Sequence, residues 1–238
     1  RASMVRMSDP QGTWGHTLLA ISLFVVGLGF LLGGGLLLAV ALTPTPDIAS
    51  FAPRQVTQST KIYDRTGEVM LYDLHQDVRR TVIPFDKMSQ HVKNATVAIE
   101  DDQFYYHIGI DLKAILRAAI SNVQEGELGQ GGSTITQQVI KNSVLQREKT
   151  FTRKAKEAIL ALKLEQLKTK DEILEIYLNE APYGGTIYGV EEAARAFFNT
   201  SATDLTIGEA AYLAAIPQAP TYLSPYGNNR AALDARQK

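Results

Sequence analysis

A chain of 238 residues has room for one sizeable domain, or one domain with appendages. Its net charge of −1 excludes a general polyanion binder, so nucleic acid is not an expected partner. No cysteine is present, which rules out disulfides and thiolate metal sites and leaves the compartment open. The four histidines, His16, His75, His91 and His107, show no metal-ligand spacing, and no protein-held structural metal is predicted.

Residues 1–16 are polar, with Arg1 and Arg6 against Asp9. Leu18 to Leu42 then runs for 25 residues without a charge, long enough to cross a bilayer and too long for the apolar core of a signal peptide. Ala39-Val40-Ala41 imitates a cleavage site, but the length favours an anchor, set at residues 17–43. The arginines before the span and Asp47 after it place residues 1–16 in the cytoplasm and the remainder outside, as a single-pass protein of the cell membrane. Thr43-Pro44-Thr45-Pro46 ends the helix and opens a stiff linker. Residues 44–84 read as that linker plus a small β stem. Thr60–Tyr63 and Glu68–Tyr72 are extended segments joined by Asp64-Arg65-Thr66-Gly67, and a third piece, Arg80–Ile83, ends at Pro84.

From residue 85 the pattern turns helical. Val92–Ile99 has an apolar face, and Asp111 can cap Leu112–Val123. Gln124–Gly132 carries four glycines and reads as a loop, after which Ser133 is placed to cap a helix through Asn142. Thr152–Leu167 is a longer amphipathic helix. Thr169-Lys170-Asp171-Glu172 is a capping box opening Ile173–Leu178. Val190–Phe198 is a further helix, and Thr206-Ile207-Gly208-Glu209 opens Ala210–Ile216. The domain over residues 85–227 is therefore predicted to be all-α.

Three stretches carry chemistry. In Ile99–Asp111 three carboxylates, Glu100, Asp101 and Asp102, fall where a helix should end, the end at which the macrodipole already places negative charge. Phe104, Tyr105 and Tyr106 follow at once, and a carboxylate held against such apolar surface is suited to accept a proton near neutral pH. A solvated acidic corner is the plainer reading of that stretch taken by itself. In Gly129–Asn142 a glycine-rich loop feeds a helix N-terminus, which offers backbone N–H groups to phosphate oxygens without the Walker pattern. Gln137 and Gln138 offer amides to sugars, with Lys141 one turn beyond Gln137; a loop and an ordinary capped helix is the alternative. In Arg153-Lys154-Ala155-Lys156-Glu157 the acid shares a helix stripe with Arg153 and Lys154. Three cations in four residues suggest an anion site, and a solvated basic face remains the alternative.

Together these stretches resemble the peptidoglycan glycosyltransferase domain of bacterial class A penicillin-binding proteins and their monofunctional relatives. Glu100–Asp111 looks like the family's first motif, E-D-x-x-F-x-x-H-x-G-[IV]-D, and Gly131–Gln138 with Lys141 and Asn142 is similar to its second. Arg153–Glu157, Ile173–Asn179 and Tyr188–Phe198 resemble the third, fourth and fifth, and the likeness runs over about residues 60–228. Two departures stand out. Asn199-Thr200 occupies the place of a frequent Gly-Lys pair, and the transpeptidase signatures Ser-x-x-Lys and Lys-Thr-Gly are missing. Residues 228–238 read as the start of a linker helix toward a further, transpeptidase domain.

The resemblance implies a lysozyme-like helical fold that polymerises the membrane substrate lipid II into β-1,4 glycan strands, with inversion and release of undecaprenyl diphosphate. It implies Glu100 as the general base, with Glu157 orienting the nearby cations or holding a cation. Lys141, Arg153 and Lys154 would meet the departing diphosphate, and Ser133, Gln137 and Gln138 would contact sugar or phosphate. Asp101 would orient arginine or lysine groups around Glu100. It leaves open whether Mg²⁺ or Mn²⁺ accompanies the substrate diphosphate. The partners it implies are lipid II, the nascent glycan strand, the bilayer and proteins of a cell-wall synthesis complex. Two rivals stand beside it: a lytic enzyme of the lysozyme class, which has no use for an anion site, and an inactive membrane-tethered scaffold.

Overall fold

The computed structural model describes residues 11–42, 60–67, 70–74, 78–117, 132–143 and 151–237. Two compact units divide the chain, Arg1–Pro44 and Thr45–Lys238. The first holds helix α1 (Gln11–Leu42), which begins ahead of the expected start at residue 17. Within it His16–Gly35 is apolar and long enough to cross a membrane. The described apolar side chains along α1 are exposed, Phe24 and Phe30 among them. A helix with an apolar surface all round is matched to an apolar surrounding.

The second unit opens with the antiparallel hairpin β1 (Thr60–Tyr63) and β2 (Met70–Leu74), Thr60 opposite Leu74 and Tyr63 opposite Met70. The expected second strand began at residue 68; residues 68 and 69 lie outside the described residues. Asp64 accepts from the backbone N–H of Thr66 at 3.2 Å, and Gly67 takes φ 76°, the turn chemistry anticipated there. The hairpin is fastened to the body through Lys61, whose ammonium donates to the buried carboxylate of Glu192 and to Thr81 Oγ1 at 2.8 Å.

Behind the hairpin the unit is mostly helical. Helix α2 (Gln90–Glu100) is capped by Ser89, and residues 112–117 form a helical stretch whose first N–H groups, of Lys113 and Ala114, donate to Asp111. The rest of the expected 112–123 helix lies outside the described residues, as does the glycine-rich loop up to residue 131. Then come α3 (Ile135–Ser143), α4 (Phe151–Leu167), α5 (Lys170–Glu180), α6 (Val190–Phe198), α7 (Ile207–Ala215) and α8 (Arg230–Gln237). Both anticipated capping boxes form, Thr169 with Glu172 and Thr206 with Glu209. The α2–α7 pair and the α3–α4–α5 group pack around fully buried Phe104, Ile135, Ile140, Leu164, Ile173, Leu174, Tyr177, Leu178, Leu213 and Ile216.

The structure departs from the expectations in three further places. The body is not wholly helical: β3 (Pro182–Gly184) and β4 (Ile187–Tyr188) make a short antiparallel hairpin, turned by Gly184 at φ 105° and Gly185 at φ 56°. Residues 80–83 form no strand. Arg79 bridges to Ile187, and the Asn179 side chain supplies both partners of Ile83, accepting its N–H at 3.0 Å and donating to its carbonyl at 2.9 Å. Thr134, not Ser133, caps α3: its hydroxyl accepts from Gln137 N–H at 3.2 Å, and Gln137 Oε1 accepts from Thr134 N–H at 3.0 Å. The tail beyond residue 228, expected to begin a helix, forms α8 (Arg230–Gln237), which packs on α7 with Leu233 fully buried.

Candidate active site

The last residue of α2 is Glu100, whose side chain is 5% exposed. Its Oε2 accepts from Gln138 Nε2 at 2.7 Å, and its Oε1 accepts from Arg236 of α8 at 3.2 Å. Two cavities meet at this carboxylate. The larger, about 670 Å³, is lined by Arg80, Gln138, Lys141, Asn142, Arg153 and Glu180 among others, and the smaller, about 520 Å³, by Asp101, Asp102, Asp111, Arg117 and Thr134. Ile99, Glu100, Ser133, Gln218 and Arg236 line both. One side of Glu100 is thus rich in cations and the other in acids.

Asp101 follows Glu100 and is buried, yet it turns away from arginine and lysine. It accepts from the backbone N–H of Ile135 at 2.9 Å and faces His107 Nε2 at 2.9 Å. His107 Nδ1 accepts from Gly109 N–H at 3.0 Å, so Nε2 is the nitrogen that carries the proton toward Asp101. Gly109 accepts in turn from Thr134 Oγ1 at 2.7 Å, and its own φ of 95° brings it so close to α4 that a Cβ would lie 2.9 Å from Ala161 O. Glycine is required there because α4 leaves no room. Asp101 therefore joins the end of α2 to the start of α3, which holds Glu100 and Gln138 in reach of each other. The expectation that Asp101 orients cations beside Glu100 is corrected to this internal linkage.

Gln137 is buried, spends its carbonyl oxygen on the α3 cap and lines neither cavity. The face of α3 turned to the larger cavity is Gln138, Lys141 and Asn142, so the pairing of Gln137 with Lys141 expected from spacing does not form the cleft wall. On α4, Arg153 lines that cavity. Lys154 donates to buried Glu157 and, at 2.7 Å, to Ser133 Oγ. Ser133 thus links this pair to the rim where the two cavities join. The structure brings Glu100, Ser133, Gln138, Lys141 and Arg153 to one cleft, with Lys154 and Glu157 one contact behind.

Among the cleft residues that escape sequence reasoning are Arg80, Arg117, Gln218 and Arg236. Each is an ordinary polar residue without a local pattern, and only the fold brings them to residue 100. Burial lowers the pKa of Arg80, partly offset by Glu180 and then Tyr188, so the cation is held in the wall at a cost met by those neighbours. The apolar flank of Glu100 also differs from expectation. Phe104 turns into the core and Tyr106 is exposed, whereas the fully buried Tyr177 and Tyr183, from α5 and β3, feel the Glu100 charge. Burial first, and then that carboxylate, push both hydroxyls above the ordinary tyrosine range. Tyr177 finds no hydrogen-bond partner among the described residues.

Apart from Tyr188, which lines the larger cavity, the fourth and fifth sequence motifs act as scaffold. Asn179 holds Ile83, and Glu191 accepts from Ala202 N–H at 2.8 Å while pairing with Arg195. Asn199 stands in the left-handed region at φ 54°, a conformation that glycine adopts freely and asparagine tolerates, so its place at the end of α6 is conformationally sound.

A family model described as Transglycosylase matches residues 67–238. The chain is similar to penicillin-binding protein 1A of Aquifex aeolicus (strain VF5), at 46% identity over 179 residues, covering 75% of this chain and 24% of that protein. It is 41% identical over 220 residues to penicillin-binding protein 1A of Neisseria gonorrhoeae, covering 90% of this chain and 27% of that one. The corresponding protein of Rickettsia bellii (strain RML369-C) is 41% identical over 210 residues, covering 86% and 26%. The chain spans about a quarter of the length of these relatives.

Proposed function

Because the chain belongs to the transglycosylase family, we propose that it is a membrane-anchored peptidoglycan glycosyltransferase that polymerises lipid II and releases undecaprenyl diphosphate. One observation carries this reading: a carboxylate at the junction of two cavities, one of them lined by Arg80, Lys141 and Arg153. A lytic enzyme acting on uncharged glycosidic linkages has no need of that cationic wall. The lysozyme-like character of the helical body belongs to this same proposal.

In the reaction, the 4-hydroxyl oxygen of the acceptor sugar bonds to the anomeric carbon of the growing chain as the bond from that carbon to the diphosphate oxygen breaks. The diphosphate leaves with the electron pair, the configuration inverts, and the hydroxyl proton passes to Glu100. A hydroxyl is a poor nucleophile, and a positioned base lowers the barrier by taking its proton in the transition state. Gln138 holds one oxygen of that base by a hydrogen bond. Lys141 and Arg153 meet the charge developing on the leaving diphosphate. Lys154, tied to Glu157 and Ser133, supports the cation wall from behind. A divalent ion, where one takes part, enters with the diphosphate. Helix α1 anchors the chain in the membrane that holds the substrate, with residues 1–16 cytoplasmic and the cleft outside; other proteins of cell-wall synthesis are its partners.

Glu100→Gln preserves shape and removes the base. Polymerisation of labelled lipid II in detergent, followed on gels, is expected to fall by about 10²–10⁴-fold, while lipid II binding survives. Polymerisation at the wild-type rate would overturn the assignment.

A further inference from the structure

We propose that Arg236 is a positioning residue for Glu100, a role that rests on the proposed glycosyltransferase reading. Residues 100 and 236 belong to α2 and α8, and their side chains meet at 3.2 Å with the carboxylate only 5% exposed. The guanidinium is held at a second point, Nε donating to Ala215 O at the end of α7 at 3.1 Å. A planar fork fixed at two points has a defined direction, which a flexible ammonium lacks. On the other side of the carboxylate Gln138 takes Oε2. Glu100 is therefore gripped by one donor per oxygen, which fixes both its position and the plane in which a lone pair is offered to an acceptor hydroxyl. Arg236 lines both cavities, so this grip lies at the point where the two reacting sugars would meet.

An ion pair that only docks α8 is the competing explanation. The helix has other attachments: Leu233 is fully buried, and Gln237 Nε2 donates to Gly208 O at 3.1 Å. Docking alone gives Arg236 no reason to reach the one carboxylate at the cavity junction. The two roles separate by experiment. A misdirected base lowers turnover without weakening substrate binding, because its effect appears only in the transition state.

The test uses the full chain in detergent with labelled lipid II. Arg236→Met is expected to lower kcat by about 10- to 100-fold, the scale of a small misplacement of a reacting group, with KM within about twofold of wild type. Arg236→Lys restores the charge without the fork and is expected to lie between wild type and Arg236→Met. Gln237→Ala, which disturbs α8 without touching the cleft, keeps the wild-type rate. In the Glu100→Gln background, Arg236→Met is expected to change the residual rate by no more than about twofold, since a residue acting through the base has nothing left to position. Four results would each overturn the proposal: a wild-type rate in Arg236→Met, a loss carried in KM, an equal loss in Gln237→Ala, or a full additional loss on top of Glu100→Gln. The last two also cover a poorly folded Arg236→Met, because a docking defect appears in Gln237→Ala and survives in the Glu100→Gln background. Wild-type polymerisation by Glu100→Gln alone would instead remove the base assignment, a different failure.

Discussion

Gln137 and Gln138 stand side by side in the chain and face opposite ways in the fold. The first is buried and closes the α3 cap with Thr134, while the second reaches Glu100. Helical geometry turns adjacent side chains by about 100°, so one of two neighbouring amides is committed inward wherever the other meets a cleft. Removing the inward one leaves the buried N–H of Thr134 without its acceptor. Gln137→Ala is accordingly expected to lower the unfolding free energy by about 1–2 kcal/mol in a urea titration, with Gln138 and Glu100 still in contact. The sequence showed two candidate amides and two candidate caps, Ser133 and Thr134, without distinguishing them. A shift of one residue decides which hydroxyl meets the helix end, and that shift is set by Asp101 accepting from Ile135, a contact across 34 positions. The partnership of Glu100 with Arg236 was still further from view, since a single arginine 136 residues away carries no periodic signal.

Among the elements, those whose ends are written locally were the most legible. Helix α6 has the bounds expected of it, Val190–Phe198, and the capping boxes that open α5 and α7 both form. The hairpin β3–β4 was not anticipated, because strands of three and two residues are too short to show alternation. The capping boxes bring an acid dependence. Hydrogen bonds from the backbone N–H groups of Thr169 and Thr206 hold Glu172 and Glu209 below the ordinary glutamate range. Their contribution is complete above the unfolded glutamate value of about 4.3 and is lost as pH falls from there through the lower folded values. Stability measured by denaturant titration should therefore decline across that acid window, and less steeply in Glu172→Gln. Thr169→Ala is expected to cost about 1 kcal/mol, the usual worth of an N-cap.

At the scale of the whole chain, helix α1 was recognised by its length and lack of charge, and the helical body by periodicity and caps. The attachment of the β1–β2 hairpin to that body was not foreseen. It depends on the buried carboxylate of Glu192, which Lys61 and Thr81 both reach and to which Arg79 lies 3.9 Å away. A charge taken out of water and then deprived of its main partner is costly. Lys61→Met is expected to lower the unfolding free energy by about 3 kcal/mol, at the low end for such pairs because Thr81 and Arg79 remain. The companion change Glu192→Gln in the same chain should recover part of the loss.

That attachment sets a rule for anyone wishing to detach the apolar N-terminal helix and handle the remainder in water. Severing the polypeptide between residues 42 and 60 leaves the lysine in place. A trim that reaches residue 75 discards it, leaves the buried Glu192 carboxylate only Thr81 and the more distant Arg79, and so gains solubility at the expense of a weakened fold.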